Sequence, residues 1–285
     1  MSDLTTPANE QVIAFETFGV SIAVTADPSA VSALHGLAPL PSQSCDPATV
    51  RHRMSIRETD EGHFNVRYEL RDGEVPAERD HSAWLIGDAD LDLAIGSLDA
   101  HVQSCIGLYA PDHAFVNAGV VAHGDRAILL PGGALTGKRT LVAELVRAGC
   151  TRYSDDYAVL DGEGLVHSYL RPALPGSLQL GQTNGHSPDP AGQPPLKPLT
   201  IGAIVLTTYW PGAEWNPRRL SRGEAVLALV SNAEPGSERP EDTFRAITGA
   251  LKSDPVAFEG KRGEAEALVP LLLAQLERES AGPAG

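Results

Sequence analysis

The segment from Arg126 to Gly149 constrains this chain more than any other. Ala127-Ile-Leu-Leu130 has the length and composition of a buried strand. It runs into a glycine-rich stretch, Pro131 to Gly137, and Leu141 to Ala148 then carries helix-compatible residues that Gly149 closes. Within the turn, Gly132-Gly-Ala-Leu-Thr-Gly137-Lys138 has the spacing G-x-x-x-x-G-K. Glycines let the backbone curl so that successive N–H groups point inward. The helix that comes next adds the positive end of its dipole, and the lysine reaches the β- and γ-phosphates of a nucleotide. Gly132, Gly133, Ala134, Leu135, Thr136, Gly137, Lys138, Arg139 and Thr140 are therefore the candidate phosphate-binding set. The spacing is weak by itself and also suits a glycine turn that binds nothing. The strand before it and the helix after it strengthen the reading. Of the 22 basic residues only Lys138, Lys197, Lys252 and Lys261 are lysines, so a lysine at this position stands out.

A second feature is Ser154-Asp155-Asp156, a short way past Lys138. An acidic pair at a strand end beside a phosphate loop can hold Mg²⁺ or accept a proton from an attacking hydroxyl. Alone, two adjacent carboxylates read as a solvated turn; with the loop upstream, the chemical reading gains weight.

Around these motifs the chain reads as two regions. Residues 1–110 form an N-terminal accessory region, mostly β. Val20–Val24 and Phe64–Leu70 alternate like strands, Asp72-Gly73 is a hairpin signal, and a helix runs from Asp90 to Leu108. His101 lies beside the apolar stripe of that helix, where a hydrogen-bonded structural histidine is expected. Residues 111–285 form the phosphate-loop domain. It holds strands at Phe115–Val121 and Ile201–Leu206, and a hairpin over Ala158–Leu160 and Leu165–Leu170. A proline-rich loop or lid spans 181–200, and Ser221-Arg-Gly-Glu224 is a capping box. A last helix spans Glu264–Arg278, with Pro270 as a kink or late start.

The net charge of −15 disfavours nucleic acid and anionic membrane as partners. No run of 18 apolar residues is present and no secretory signal is visible. Cys45, Cys105 and Cys150 are odd in number and far apart, so reduced thiols and a cytoplasmic location are expected. The nine histidines are scattered without ligand spacing, and hydrolase and zinc-protease motifs are absent.

Asn117-Ala-Gly-Val-Val, Arg126 to Gly132, Gly137-Lys138, Ala148-Gly149, Tyr153 to Asp161 and His167 to Pro172 together resemble the C-terminal domain of HPr serine kinase/phosphorylase. They are closest to the bacterial HPr kinase-like proteins related to phosphoenolpyruvate carboxykinase. The resemblance covers about residues 112–175 and continues weakly to Leu220–Ala225. It implies an α/β phosphate-loop core with a mixed, largely antiparallel sheet. It also implies ATP and Mg²⁺ as ligands and transfer of the γ-phosphate to a hydroxyl, such as a serine of a protein or peptide. By the same resemblance Asp155 is the base, Asp156 (with Asp155) holds Mg²⁺, Lys138 contacts the phosphates, and a homo-oligomer is expected.

The departures are specific. Asn117 stands where the family has a histidine near the transferred phosphate. Arg139 stands where a Ser or Thr ligates Mg²⁺, and Thr140 is about 100° further round the helix. Arg139 either binds phosphate in place of part of the metal's charge or marks a dead site. Arg171 is a further candidate phosphate contact or a surface arginine at a strand end. Three readings are open: an ATP-dependent phosphotransferase, a nucleotide- or anion-binding regulator of the same fold without turnover, and a carboxykinase-like small-molecule enzyme.

Overall fold

A computed structural model of the chain describes residues 10–71, 81–133, 136–172, 196–234 and 240–280. They form two compact units, with α-helices and two mixed sheets. The first unit takes the chain up to Pro111 and again from Arg171; the second takes Asp112–Leu170 and the described residues from 196 onward.

In the first unit the sheet order is β3-β1-β2-β4-β5-β6. The strands are β1 (Gln11–Thr17), β2 (Val20–Ala26), β3 (Gln43–Ser44), β4 (His52–Glu58), β5 (Phe64–Leu70) and β6 (His81–Ala89). All neighbours are antiparallel except β2 and β4. Alternation along β4 and β5 buries His52, Met54 and Ile56, and Phe64 and Val66. Helix α1 (Leu91–Tyr109) starts where the Asp90 carboxylate accepts the Leu93 N–H at 2.8 Å. Ala94, Ile95, Leu98, Val102, Cys105 and Ile106 form its buried stripe. His101 is exposed, its Nδ1 2.8 Å from the Ser97 carbonyl. The Asp72-Gly73 signal lies outside the described residues, although β5 and β6 do pair antiparallel.

The second unit is a three-layer α/β/α arrangement. Its sheet runs β11-β10-β7-β8-β12-β14-β13, with β9 also on β7. The strands are β7 (His113–His123), β8 (Arg126–Pro131), β9 (Thr151–Ser154), β10 (Tyr157–Asp161), β11 (Val166–His167), β12 (Thr200–Tyr209), β13 (Arg218–Arg219) and β14 (Val256–Arg262). Only β8/β12 and β12/β14 are parallel; the other pairs are antiparallel. Strand β8 is buried on both faces, which explains its unbroken apolar run. Ile128 and Leu130 face Leu141, Val142 and Leu145 of α2 (Lys138–Arg147) and Leu268 and Leu272 of α5 (Ala265–Ser280). Ala127 and Leu129 face Ala225 and Leu229 of α3 (Arg222–Ser231) and Ala246 and Ile247 of α4 (Pro240–Ala250). Each fully buried leucine here contributes about 1.5–3 kcal/mol.

Four boundaries differ from the sequence reading. Helix α2 begins at Lys138 rather than Leu141, because Gly137 at φ +78° turns the chain into the helix at once. The second arm of the hairpin is only Val166–His167, since the chain then leaves β10 and Tyr169 bridges to Ser154. Strand β12 runs past Leu206 to Tyr209, carried by its pairing with β14. Pro270 lies inside α5, so it does not mark a late start. The capping box is present in full: the Ser221 Oγ accepts the Glu224 N–H at 3.3 Å, and Glu224 Oε2 accepts the Ser221 N–H at 2.8 Å. Of the 181–200 loop only 196–200 is described, and Thr200 already belongs to β12. Among the described residues no helix is long and apolar enough to cross a membrane.

A side chain on Gly119 of β7 would collide with α2, because its Cβ would lie 2.5 Å from Cγ2 of Val142. Val142 is fully buried and β-branched, so it cannot swing aside. Gly119→Ala is expected to lower the unfolding free energy by about 1–3 kcal/mol in urea denaturation; an unchanged midpoint would show that α2 yields freely.

Candidate functional site

The end of β8 delivers the glycine-rich loop to the head of α2. Asn117 and Gly132 join the loop to β7, the Gly132 N–H donating to the Asn117 carbonyl at 3.0 Å. Thr136 Oγ1 donates to the Gly133 carbonyl at 3.0 Å. Gly137 is the N-cap of α2 and makes no side-chain cap, which leaves the first-turn N–H groups open for an anion. The Lys138 ammonium folds back onto the loop, donating to the carbonyls of Gly132 at 2.5 Å and of Gly133. Burial pushes the Lys138 pKa below its ordinary value, against the pull of nearby Asp156. Ala134 and Leu135 lie outside the described residues; Thr140 is half-buried in the first turn of α2.

Asp155 and Asp156 stand in the turn between β9 and β10, which flank and pair with β7. The turn is shaped by Ser154, fully buried, whose Oγ accepts the N–H groups of Asp156 at 3.2 Å and Tyr157 at 3.0 Å. Arg139 donates to Asp156 Oδ1 at 2.8 Å, and Arg152 donates to Asp155 Oδ2 at 2.6 Å. The other Asp155 oxygen, Oδ1, is buried with no hydrogen-bond partner among the described residues. Burial therefore raises the Asp155 pKa, and Arg152 only partly offsets it. So the fold brings Lys138, Arg139, Asp155 and Asp156 together at one end of the sheet.

Asn117 is also at this end, but its amide is engaged: Nδ2 donates to Glu234 Oε1 at 3.2 Å, and the Tyr157 hydroxyl donates to the same oxygen at 3.0 Å. Arg171 belongs to the first unit. Its guanidinium reaches both carboxylate oxygens of Asp99 at 2.5 Å, inside the first unit. Two residues at the loop went unread in the sequence. Glu234 comes after α3, and no local motif marks it. Arg262 ends β14 and is only 3% exposed. It donates to the carbonyls of Gly137 at 3.2 Å and Gly263 at 3.0 Å, while its Nε is buried without a partner. A Cβ on Gly137 would collide with this guanidinium, so that position needs glycine for space as well as for φ.

The donor set tests the two ligands that the sequence implies. Open N–H groups and an ammonium suit a triphosphate. They do not suit Mg²⁺ held in the usual way: Arg139 replaces the hydroxyl ligand and already neutralises Asp156. In the first unit, Glu61, His63 and Asp88 bring ligand atoms within 4.8 Å of one another, a grouping hidden in the sequence because Asp88 comes from β6 and the other two from the turn before β5; all three are exposed. Cys45, Cys105 and Cys150 are free thiols. No protein-family model, no curated protein and no solved structure matches the chain.

Ionising Asp155 is harder in the fold than in the unfolded chain. The native state then binds the extra proton, and this group's contribution to stability falls as pH rises above the ordinary aspartate value of 3.8. Asp155→Asn lacks this slope. Its stability relative to wild type is expected to increase as pH rises above 3.8 in a series of urea titrations; a constant difference would contradict a desolvated carboxyl.

Proposed function

We propose that this protein binds a nucleoside triphosphate on the loop 132–140 and transfers its γ-phosphate to a hydroxyl, in the manner of the HPr kinase-like proteins. What supports the reading is the junction that follows the central strand β8: a left-handed Gly137, an uncapped first turn of α2 and Lys138 opening that helix. Binding moves the Lys138 ammonium from the loop carbonyls to phosphate oxygens. The acceptor hydroxyl oxygen then bonds to the γ-phosphorus and the bond to the β–γ bridging oxygen breaks, releasing the nucleoside diphosphate. Asp155 takes the hydroxyl proton. A desolvated carboxylate with an unsatisfied oxygen is a better base than a solvated one, because protonation relieves its burial. Lys138 and Arg139 supply positive charge to the phosphates, and Arg139 stands in for metal through bidentate contact.

A second reading, nucleotide binding without turnover, is favoured by one observation. Both carboxylates are already paired with arginines, Asp155 with Arg152 and Asp156 with Arg139. A regulator that only senses nucleotide needs no free base. The acceptor of the first reading is a protein or peptide serine by resemblance alone.

Calorimetry with ATP tests the loop, and a phosphate-transfer assay separates the two readings. Binding is expected to change little between Mg²⁺ and a chelator, and Lys138→Ala is expected to weaken it about ten- to a hundredfold, the worth of a lost charge-assisted hydrogen bond. Binding that vanishes with the chelator would overturn the role given to Arg139. Arg139→Thr restores a hydroxyl and frees Asp156, so its ATP binding is expected to become Mg²⁺-dependent. For turnover the readout is ATP-derived phosphate on an acceptor: Asp155→Asn is expected to bind ATP like wild type and transfer none. Transfer that persists in Asp155→Asn removes the base assignment, and wild type that binds without transferring supports the regulator.

A further inference from the structure

Parallel strands β8, β12 and β14 all point their C-terminal ends toward the loop, and ligands of open α/β sheets bind beyond the carboxyl ends of the strands. Leu129 pairs with Ile204, two residues before β8 ends, whereas β12 continues to Tyr209 and β14 keeps pace to Arg262. The β12–β14 ribbon therefore overhangs the loop.

Its last register pair is Tyr209 and Arg262. Paired residues share a face, and Arg262 touches the Gly137 carbonyl, so Tyr209 stands on the loop's side with a single guanidinium between. The Arg262 carbon lies 5.4 Å from the centre of the Tyr209 ring. The Tyr209 hydroxyl donates to Glu264 Oε1 at 2.7 Å, which fixes the ring at its far end. Even so, Tyr209 is 43% exposed. An aromatic ring held by a cation behind it and a carboxylate at its tip, yet left open to water, is preorganised for a flat partner. Arg262 is buried and donates to loop carbonyls, so it braces both the loop and the ring from behind.

We propose that Tyr209 is the stacking platform for the base of a nucleotide whose phosphates lie on the loop, with Arg262 between the two. This rests on the phosphate-loop reading and deepens it: the ligand is a nucleotide rather than a bare polyphosphate. Every base offers a π-face, so the platform gives affinity with little preference among bases.

The experiment is calorimetry of the full chain with ATP and, separately, with inorganic tripolyphosphate. Wild type is expected to bind ATP about tenfold or more tightly than tripolyphosphate. Tyr209→Ala is expected to lose that advantage and to bind tripolyphosphate as wild type does, while Tyr209→Phe, which keeps the ring and loses the Glu264 bond, retains most of it. A circular-dichroism melt confirms that both variants fold. Equal affinity of wild type for the two ligands overturns the platform and leaves the phosphate loop standing. Parallel weakening of both ligands in Tyr209→Ala also overturns it, since Tyr209 would then only brace Arg262. Absence of both ligands from wild type overturns the loop and the platform together.

Discussion

The second unit depends on the double burial of β8. Because Ala127 to Leu130 are covered on both faces, the strand is fixed in the middle of the sheet, and its end is a rigid point from which the loop departs. Antiparallel β7 on one side carries the carboxylates through β9 and β10. Parallel β12 on the other side carries the aromatic overhang. Loosening the core around β8 would therefore blur every distance at the site, although no core residue touches a ligand.

Charge at the site is organised before any ligand arrives. Lys138 rests on carbonyls, Arg139 on Asp156, Arg152 on Asp155 and Arg262 on the edge of the loop. Each pairing lowers the cost of holding ions at low dielectric. On the proposed reading a nucleotide would exchange these partners for its own oxygens, and its affinity would be the difference between two sets of good contacts. The unsatisfied Asp155 oxygen is the exception, a group whose protonation the fold favours.

Much of this was legible in the sequence because it is local. The strand–glycine–helix junction, the capping box at Ser221 and the α1 stripe each lie within one stretch of chain, and all three are present. What could not be read is what long-range pairing decides. Strand β14, VAFEGKR, is too short and too charged at its end to declare itself, yet it holds Arg262. Helix α4 starts at Pro240 with a polar first turn and shows its apolar face only at Ala246 and Ile247. Arg171 reads in the sequence as a phosphate contact or a surface arginine, and its pairing with Asp99 of α1 is a long-range contact that no local pattern shows. Arg139 is similar: its position marks a departure, but only the fold reveals Asp156 as its partner.

The pairing of Arg171 with Asp99 also bears on how the chain is made. Domains form as they leave the ribosome, the N-terminal one first. Here α1 emerges complete while its ion-pair partner is still unsynthesised, beyond β7 to β11 of the second unit. The first unit is thus finished late, after much of the second exists. A break between Pro111 and Asp112 would part Asp99 from the arginine that pairs with it.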